Sequence, residues 1–139
     1  MTRETERSVV DLIRTTFPGV QAVYLYGSAA AGREGPDSDV DLGLLLPHTE
    51  AREAGSLALS DLRFSLEDLI RKTVDLVNLR RAPIVLQKEV IAEGRLLFAA
   101  DQNSADEYEM YVLSFYGKLN EERAEILEEF ARTKRAYPV

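Results

Sequence analysis

The residues of this chain best suited to chemistry are three acids and a Gly-Ser turn. Residues 23–46 read VYLYGSAAAGREGPDSDVDLGLLL. An apolar run rich in β-formers breaks at Gly27-Ser28, passes through a polar segment and re-enters an apolar run at Asp39-Val40-Asp41. Side chains alternate along a strand, so Asp39 and Asp41 are expected on one face, about 7 Å apart along the chain. Two such carboxylates repel unless one takes a proton or a cation sits between them. Mg²⁺, held by one or two carboxylates plus substrate phosphates, is the economical resolution. A glycine turn whose N–H groups lead into a helix supplies the complementary half, a cradle for phosphate. Gly27 and Ser28 are therefore candidate nucleotide-binding residues beside a candidate metal-binding pair.

A third acid, Asp75, lies in the middle of the apolar segment Thr73–Leu79. An acid there must be paired, hydrated or functional. It either faces water on an edge strand, or it joins Asp39 and Asp41 as a third carboxylate. Taken singly, Gly27-Ser28 is a plain turn, and Asp37, Ser38 and Asp39 are a turn cluster capping the next strand. Their combination at strand–turn–strand spacing, with Asp41 inside an apolar strand, favours the functional reading. His48, the only histidine, sits beside Pro47 at a loop entry and reads as an exposed loop residue.

Elements to position these groups are legible in the periodicity. Val9, Val10, Leu12, Ile13 and Phe17 mark one face of a helix over residues 5–17, ended by Pro18-Gly19. Ala22–Tyr26 reads as a strand, Ala29–Ala31 as the start of a brief helix, and Val40–Leu46 as a central strand covered on both faces. Apolar spacing from Glu50 to Arg71 predicts a helix returning over the sheet, with Gly55-Ser56 able to break its first turns. Thr73–Leu79 is the next strand, Ile84–Glu93 a helix opened by Pro83 and stopped at Gly94, and Arg95–Ala99 the last strand. Ser104 and Glu107 form an S-x-x-E capping box before a long helix with the stripe Tyr108, Tyr111, Val112, Phe115, Leu119, Ile126 and Phe130. That helix packs either on its own domain or on a partner. The expectation is an α/β (α+β) fold, a small mixed sheet flanked by helices, in a single domain over 1–139. Its core would span about 5–100, with a helical extension over about 104–135.

Composition narrows the function classes. With 45% hydrophobic and 29% charged residues, the 139-residue chain has an ordinary globular balance and is long enough to bury a core. No apolar run approaches the ~20 residues of a membrane span, and the N-terminus is charged, so a cytoplasmic location is expected. Zero Cys excludes disulfides and thiolate chemistry, and one His argues against a His-based metal centre. A net charge of −7 disfavours direct binding to nucleic acid, which needs Lys and Arg against phosphate. Arg71-Lys72 with Arg80-Arg81 is the one candidate for a local basic stripe.

Gly27-Ser28, Asp39-x-Asp41 and the later strand acid Asp75 resemble the signature of the DNA polymerase β-like nucleotidyltransferases. More narrowly they resemble the minimal nucleotidyltransferase (MNT) antitoxins of HEPN-domain toxins. The resemblance implies that Asp39, Asp41 and Asp75 hold Mg²⁺, two ions in the usual arrangement, while ATP lies on Gly27 and Ser28. It further implies AMP transfer to a tyrosine of a cognate HEPN ribonuclease toxin, with which the chain would form a hetero-oligomer. Alternatives are nucleotidyl transfer to RNA or a small molecule, and a non-catalytic antitoxin acting by binding alone. One departure concerns the basic residues that the family places before the second glycine of the loop and before the Pro-Asp pair. Here they are Ala31 and Gly35, and the available base is Arg33, which either reaches the phosphates or is a solvated loop charge.

Overall fold

Turn residues such as Gly27, Pro47, Gly55 and a left-handed Arg71 separate the apolar segments, and among the described residues the chain forms four strands and six α-helices. The computed structural model describes residues 1–33, 35 and 37–133. The order is α1 (Arg3–Thr16), β1 (Ala22–Tyr26), α2 (Gly27–Ala30), β2 (Val40–Leu45), α3 (His48–Ala54), α4 (Asp61–Ile70), β3 (Val74–Asn78), a 3-10 turn (Leu79–Arg81), α5 (Ile84–Glu93), β4 (Arg95–Ala99) and α6 (Gln102–Thr133). The sheet order is β3-β2-β1-β4. β1 runs antiparallel to β2 and β4, whereas β2 and β3 are parallel. A parallel pair needs a crossover, and α3 and α4 provide it. The mixed sheet flanked by helices is the architecture expected from the sequence.

Strand alternation sorts the interior into two layers. Val23 and Leu25 of β1 and Val40, Leu42 and Leu44 of β2 pack with Val9 and Ile13 of α1 and with Leu62 and Leu66 of α4. The opposite face carries Tyr24, Tyr26 and Leu45, covered by Val90 of α5 and by Tyr108 and Val112 of α6. Each fully buried Leu or Ile in these layers contributes about 1.5–3 kcal/mol. β2 is thus covered on both sides, which its near-continuous aliphatic run anticipated. Asp41, between Val40 and Leu42, must face the α5 side, and so must Asp75, between Val74 and Leu76.

Two sequence expectations are corrected and one left open is narrowed. The helix expected over Glu50–Arg71 is two helices, because Gly55 adopts φ +59 and the chain unwinds before Ser60, whose hydroxyl accepts the Arg63 N–H at 3.3 Å and restarts it. Ser104 does not cap α6. The helix begins at Gln102, and Asp101 takes the capping role by accepting the Asn103 N–H at 3.1 Å and the Ser104 hydroxyl at 3.2 Å. An Asp carboxylate with two donors outcompetes a hydroxyl at that position. The apolar stripe of α6 is buried only at Tyr108 and Val112. Tyr111, Phe115, Ile126 and Phe130 are exposed, because α6 runs beyond the rest of the described fold.

The crossover is fixed to the sheet by polar contacts that bear on the site. Arg63 of α4 donates from Nε to the Val74 carbonyl at 2.8 Å, and Glu67 accepts the Val74 N–H at 2.9 Å. Both backbone groups of the residue before Asp75 are thereby held from the open side of an edge strand. Buried Asn78, at the other end of β3, donates from Nδ2 to the carbonyls of Ala51 and Gly55 at 2.8 and 2.9 Å.

Candidate active site

Asp41 and Asp75 are partners in the parallel β2–β3 register, and Tyr26 is the partner of Asp41 on the other side. Opposed residues in neighbouring strands have Cβ atoms about 5 Å apart, so the two carboxylates stand side by side. Asp75 lies on an edge strand and is exposed, yet it also joins Asp41. The edge-strand reading holds, and of the three-acid reading the structure brings Asp75 beside Asp41 but not Asp39 into the same cavity.

Gly27 closes the site from β1. Its φ is +71, and a Cβ built on it would lie 2.2 Å from Asp41 Oδ2. Any other residue would be strained there and would also displace the carboxylate. From Gly27 the chain makes one helical turn and folds back. The N–H groups of Ala31 and Arg33 donate to the carbonyls of Gly27 and Ser28 at 3.2 and 2.9 Å, and Gly32 supports the bend at φ +72. The first-turn N–H groups stay outside the helical ladder, where they can meet an anion. With four residues α2 carries little macrodipole, so an anion there would meet individual N–H groups rather than a helix field.

These groups line a cavity of about 240 Å³ with Leu86, Glu89 and Glu93 of α5. The two glutamates had no signal as site residues in the sequence, because their i,i+4 spacing on an amphipathic helix is that of any solvated face. Tyr26 also lines the cavity, and only its register with Asp41 across β1 and β2 reveals it. Asp39 lies just before β2, exposed, and does not line the cavity. Its charge still acts on Asp41. Ser28 is half-buried and Arg33 exposed, and neither lines the cavity.

Electrostatics here are strained in one direction. Asp41 has its pKa pushed above the usual carboxylate range, first by burial and then by the negative charges of Asp75 and Asp39. The Tyr26 phenol is likewise pushed up by burial and by Asp75, Asp41 and Glu89. Among the described residues no Lys or Arg lines the cavity. A cation would relieve that repulsion, and the donors, hard carboxylate oxygens on adjacent strands, fit a divalent ion such as Mg²⁺. Among the described residues no three acidic or histidine side chains gather closely enough to enclose an ion by themselves. That is compatible with Mg²⁺ sites, whose shell is completed by water and substrate phosphate.

The basic residues noted in the sequence do not form one stripe. Arg71 and Lys72 precede β3 and share a cavity with Asp37, Glu67 and Asp68, whereas Arg80 and Arg81 follow β3 at its far end. Lys72 donates from Nζ to the Gly35 carbonyl at 3.1 Å, tying the loop after α2 to the start of β3. Among the described residues no helix is long and apolar enough to cross a membrane.

Comparison with known proteins gives the same picture. The family described as Polymerase beta, Nucleotidyltransferase matches residues 9–103. Protein adenylyltransferase MntA of Shewanella oneidensis is 30% identical over 129 residues, covering 93% of this chain and 89% of the relative. A crystal structure of a toxin–antitoxin with AMP-PNP superposes with a TM-score of 0.71 at 28% identity, over 91% of this chain and 98% of that one. A second structure, of tri-AMPylated Shewanella oneidensis HEPN toxin in complex with MNT antitoxin, gives 0.68 at 27% identity, over 94% and 99%. With the Gly27 bend, the in-register acid pair and a family match across the whole sheet, the chain belongs to the polymerase beta nucleotidyltransferase family.

Proposed function

We propose that this protein transfers the AMP moiety of ATP to a tyrosine hydroxyl of a cognate HEPN-domain toxin and forms a complex with it. The observation that carries the reading is the side-by-side placement of Asp41 and Asp75 against Gly27. The similarity to a protein adenylyltransferase and to complexes of HEPN toxin with MNT antitoxin supports the acceptor. The similarity to a structure with AMP-PNP supports ATP as donor.

In this mechanism the acceptor oxygen forms a bond to the α-phosphorus while the bond to the β-phosphate bridging oxygen breaks. Pyrophosphate departs, and the hydroxyl proton passes to a carboxylate or to water. The N–H groups of the Gly27–Ser28 turn hold phosphate oxygens, with the Ser28 hydroxyl adding a donor. Asp41 and Asp75, with Asp39 acting from the entrance, would hold Mg²⁺, whose chemistry when bound is to offset the charge of the triphosphate. Asp75, exposed on its edge strand, is the acid best placed to meet an acceptor arriving from solvent. No side chain becomes a covalent nucleophile, since phosphoryl-type transfer depends on positioning and charge.

The test is incubation with α-labelled ATP, Mg²⁺ and a HEPN-domain toxin, with RNA and small-molecule acceptors in parallel. Label on a toxin tyrosine, lost in Asp41→Asn and Asp75→Asn, is the expected result. Label on RNA or a small molecule alone, or toxin neutralised equally well by both variants, would overturn it.

A further inference from the structure

At the end of the sheet opposite the acid pair, Arg80 is a half-buried cation with no acidic partner among the described residues. Its Nε donates to the Leu46 carbonyl at 2.5 Å, one Nη to Gln21 Oε1 at 2.7 Å, and the other lies 3.2 Å from His48 Nε2. A guanidinium only donates, so in that contact His48 Nε2 can serve only as acceptor, and none of the three partners is an acid. Five N–H groups meet three acceptors, which leaves two N–H groups unspent. Among the described residues no carboxylate lies within ion-pair distance of it. Burial weighs against the charge, and the phenol of Tyr108, whose ring lies 5.5 Å from the guanidinium carbon, is the group acting in its favour.

Arg80 opens into a cavity of about 470 Å³ lined also by Gln21, His48, Ser104, Glu107, Tyr108 and Tyr111. Gln21 pairs with the far end of β2, its N–H donating to the Leu45 carbonyl, five residues before Tyr26. At about 3.4 Å per residue the cavity is roughly 17 Å from the acid pair, so the transfer chemistry does not use it. Tyr108 is fixed, its hydroxyl donating to Gln87 Oε1 at 2.7 Å, while Tyr111 is 64% exposed and presents a ring at the mouth. One cation and exposed Glu107 at the rim suit a single oxyanion group and oppose a polyphosphate.

We infer that this cavity is a second ligand site, which takes the oxyanion of a phosphate monoester or carboxylate on the Arg80 guanidinium and a flat ring against Tyr111. The two unspent N–H groups supply the charge-assisted hydrogen bonds, and the anion removes the cost of a half-buried cation without a counter-charge.

The experiment is a backbone-amide NMR titration of the full chain with inorganic phosphate, AMP and benzoate separately. Saturable shifts at His48, Arg80 and Tyr111 are expected, unchanged in Asp41→Asn. Glu107→Gln should tighten binding a few-fold by removing the opposing charge, and Arg80→Lys should weaken it by about ten-fold, since an ammonium cannot reproduce the fork. Tyr111→Ala should weaken AMP and benzoate but spare phosphate. AMP binding tighter than benzoate identifies a phosphate ester as the source, and the reverse a carboxylate. Because Arg80 also holds backbone, Arg80→Lys can unfold the chain, and the exposed Glu107 and Tyr111 variants then carry the test. The inference is overturned if no probe gives saturable shifts at these residues, or if the Glu107 and Tyr111 variants bind like wild type. Phosphate binding with neither ring probe overturns the ring half.

Discussion

Gly27 and Asp41 are in contact: the hydrogen that stands where a side chain would begin on Gly27 faces the Asp41 carboxylate, and a Cβ there would lie 2.2 Å from Oδ2. The Gly27 turn and the acid next to it therefore cannot be varied separately. This contact and the register of Asp41 with Asp75 define a site of fixed shape at one end of the sheet.

Gly27→Ala should abolish AMP transfer while the protein stays folded. The left-handed backbone costs an alanine about 1 kcal/mol, and the added methyl pushes Asp41 aside. Displacement of a catalytic group by about 1 Å is worth on the order of 100-fold in rate. Labelled transfer read alongside the thermal midpoint checks this, and a variant with half of normal activity would refute it.

Asp41 has a raised pKa, so the folded chain binds a proton there that the unfolded chain has already released. Its charge therefore opposes folding, fully so once pH rises past the folded value, and stability falls as pH climbs between the unfolded and folded values. Asp41→Asn should accordingly be more stable than wild type near neutral pH, with the difference shrinking as pH falls from the raised folded value to the ordinary carboxylate value. Urea titrations across that range decide it. Removing Asp75 by Asp75→Asn should lower the Asp41 pKa, observable by carboxyl-carbon NMR.

Added Mg²⁺ should raise the thermal midpoint of wild type, since an ion bound to the folded state alone stabilises it by mass action. Asp41→Asn and Asp75→Asn should each lose that response, and chelator should reverse it in wild type. Asp39→Asn should lose less, because Asp39 stands outside the cavity. Equal responses in all four proteins would remove the acid pair as the ion's site.

Asn78→Ala should cost about 2 kcal/mol in urea unfolding, because the Gly55 carbonyl loses its side-chain donor and a buried polar contact between crossover and sheet disappears. Transfer per folded molecule should be retained, since Asn78 lies at the end of β3 away from Asp75.

Shortening the chain after Leu119 should leave the thermal midpoint nearly unchanged. The buried contacts of α6 are made by Ala105, Tyr108 and Val112, and the described residues from Asn120 onward are exposed. A drop comparable to that of Asn78→Ala would show that the outer half of α6 supports the fold.

The sequence by itself determined the order of the elements, the turn at Gly27, the two apolar layers and the presence of an acid inside each of two strands. These follow from interactions between near neighbours: alternation in strands, the helical period, and the φ freedom of glycine. Tertiary structure alone decided that Asp75 stands opposite Asp41 while Asp39 falls outside the cavity, because register between strands separated by a crossover is set by how α4 packs. The same holds for Glu89 and Glu93, whose spacing is that of any solvated helix face until α5 is laid across the sheet. It holds for Arg80 too, an ordinary arginine in the sequence that packing half-buries beside neutral partners. Local patterns specify which face a residue points to, and only long-range packing specifies what it meets there.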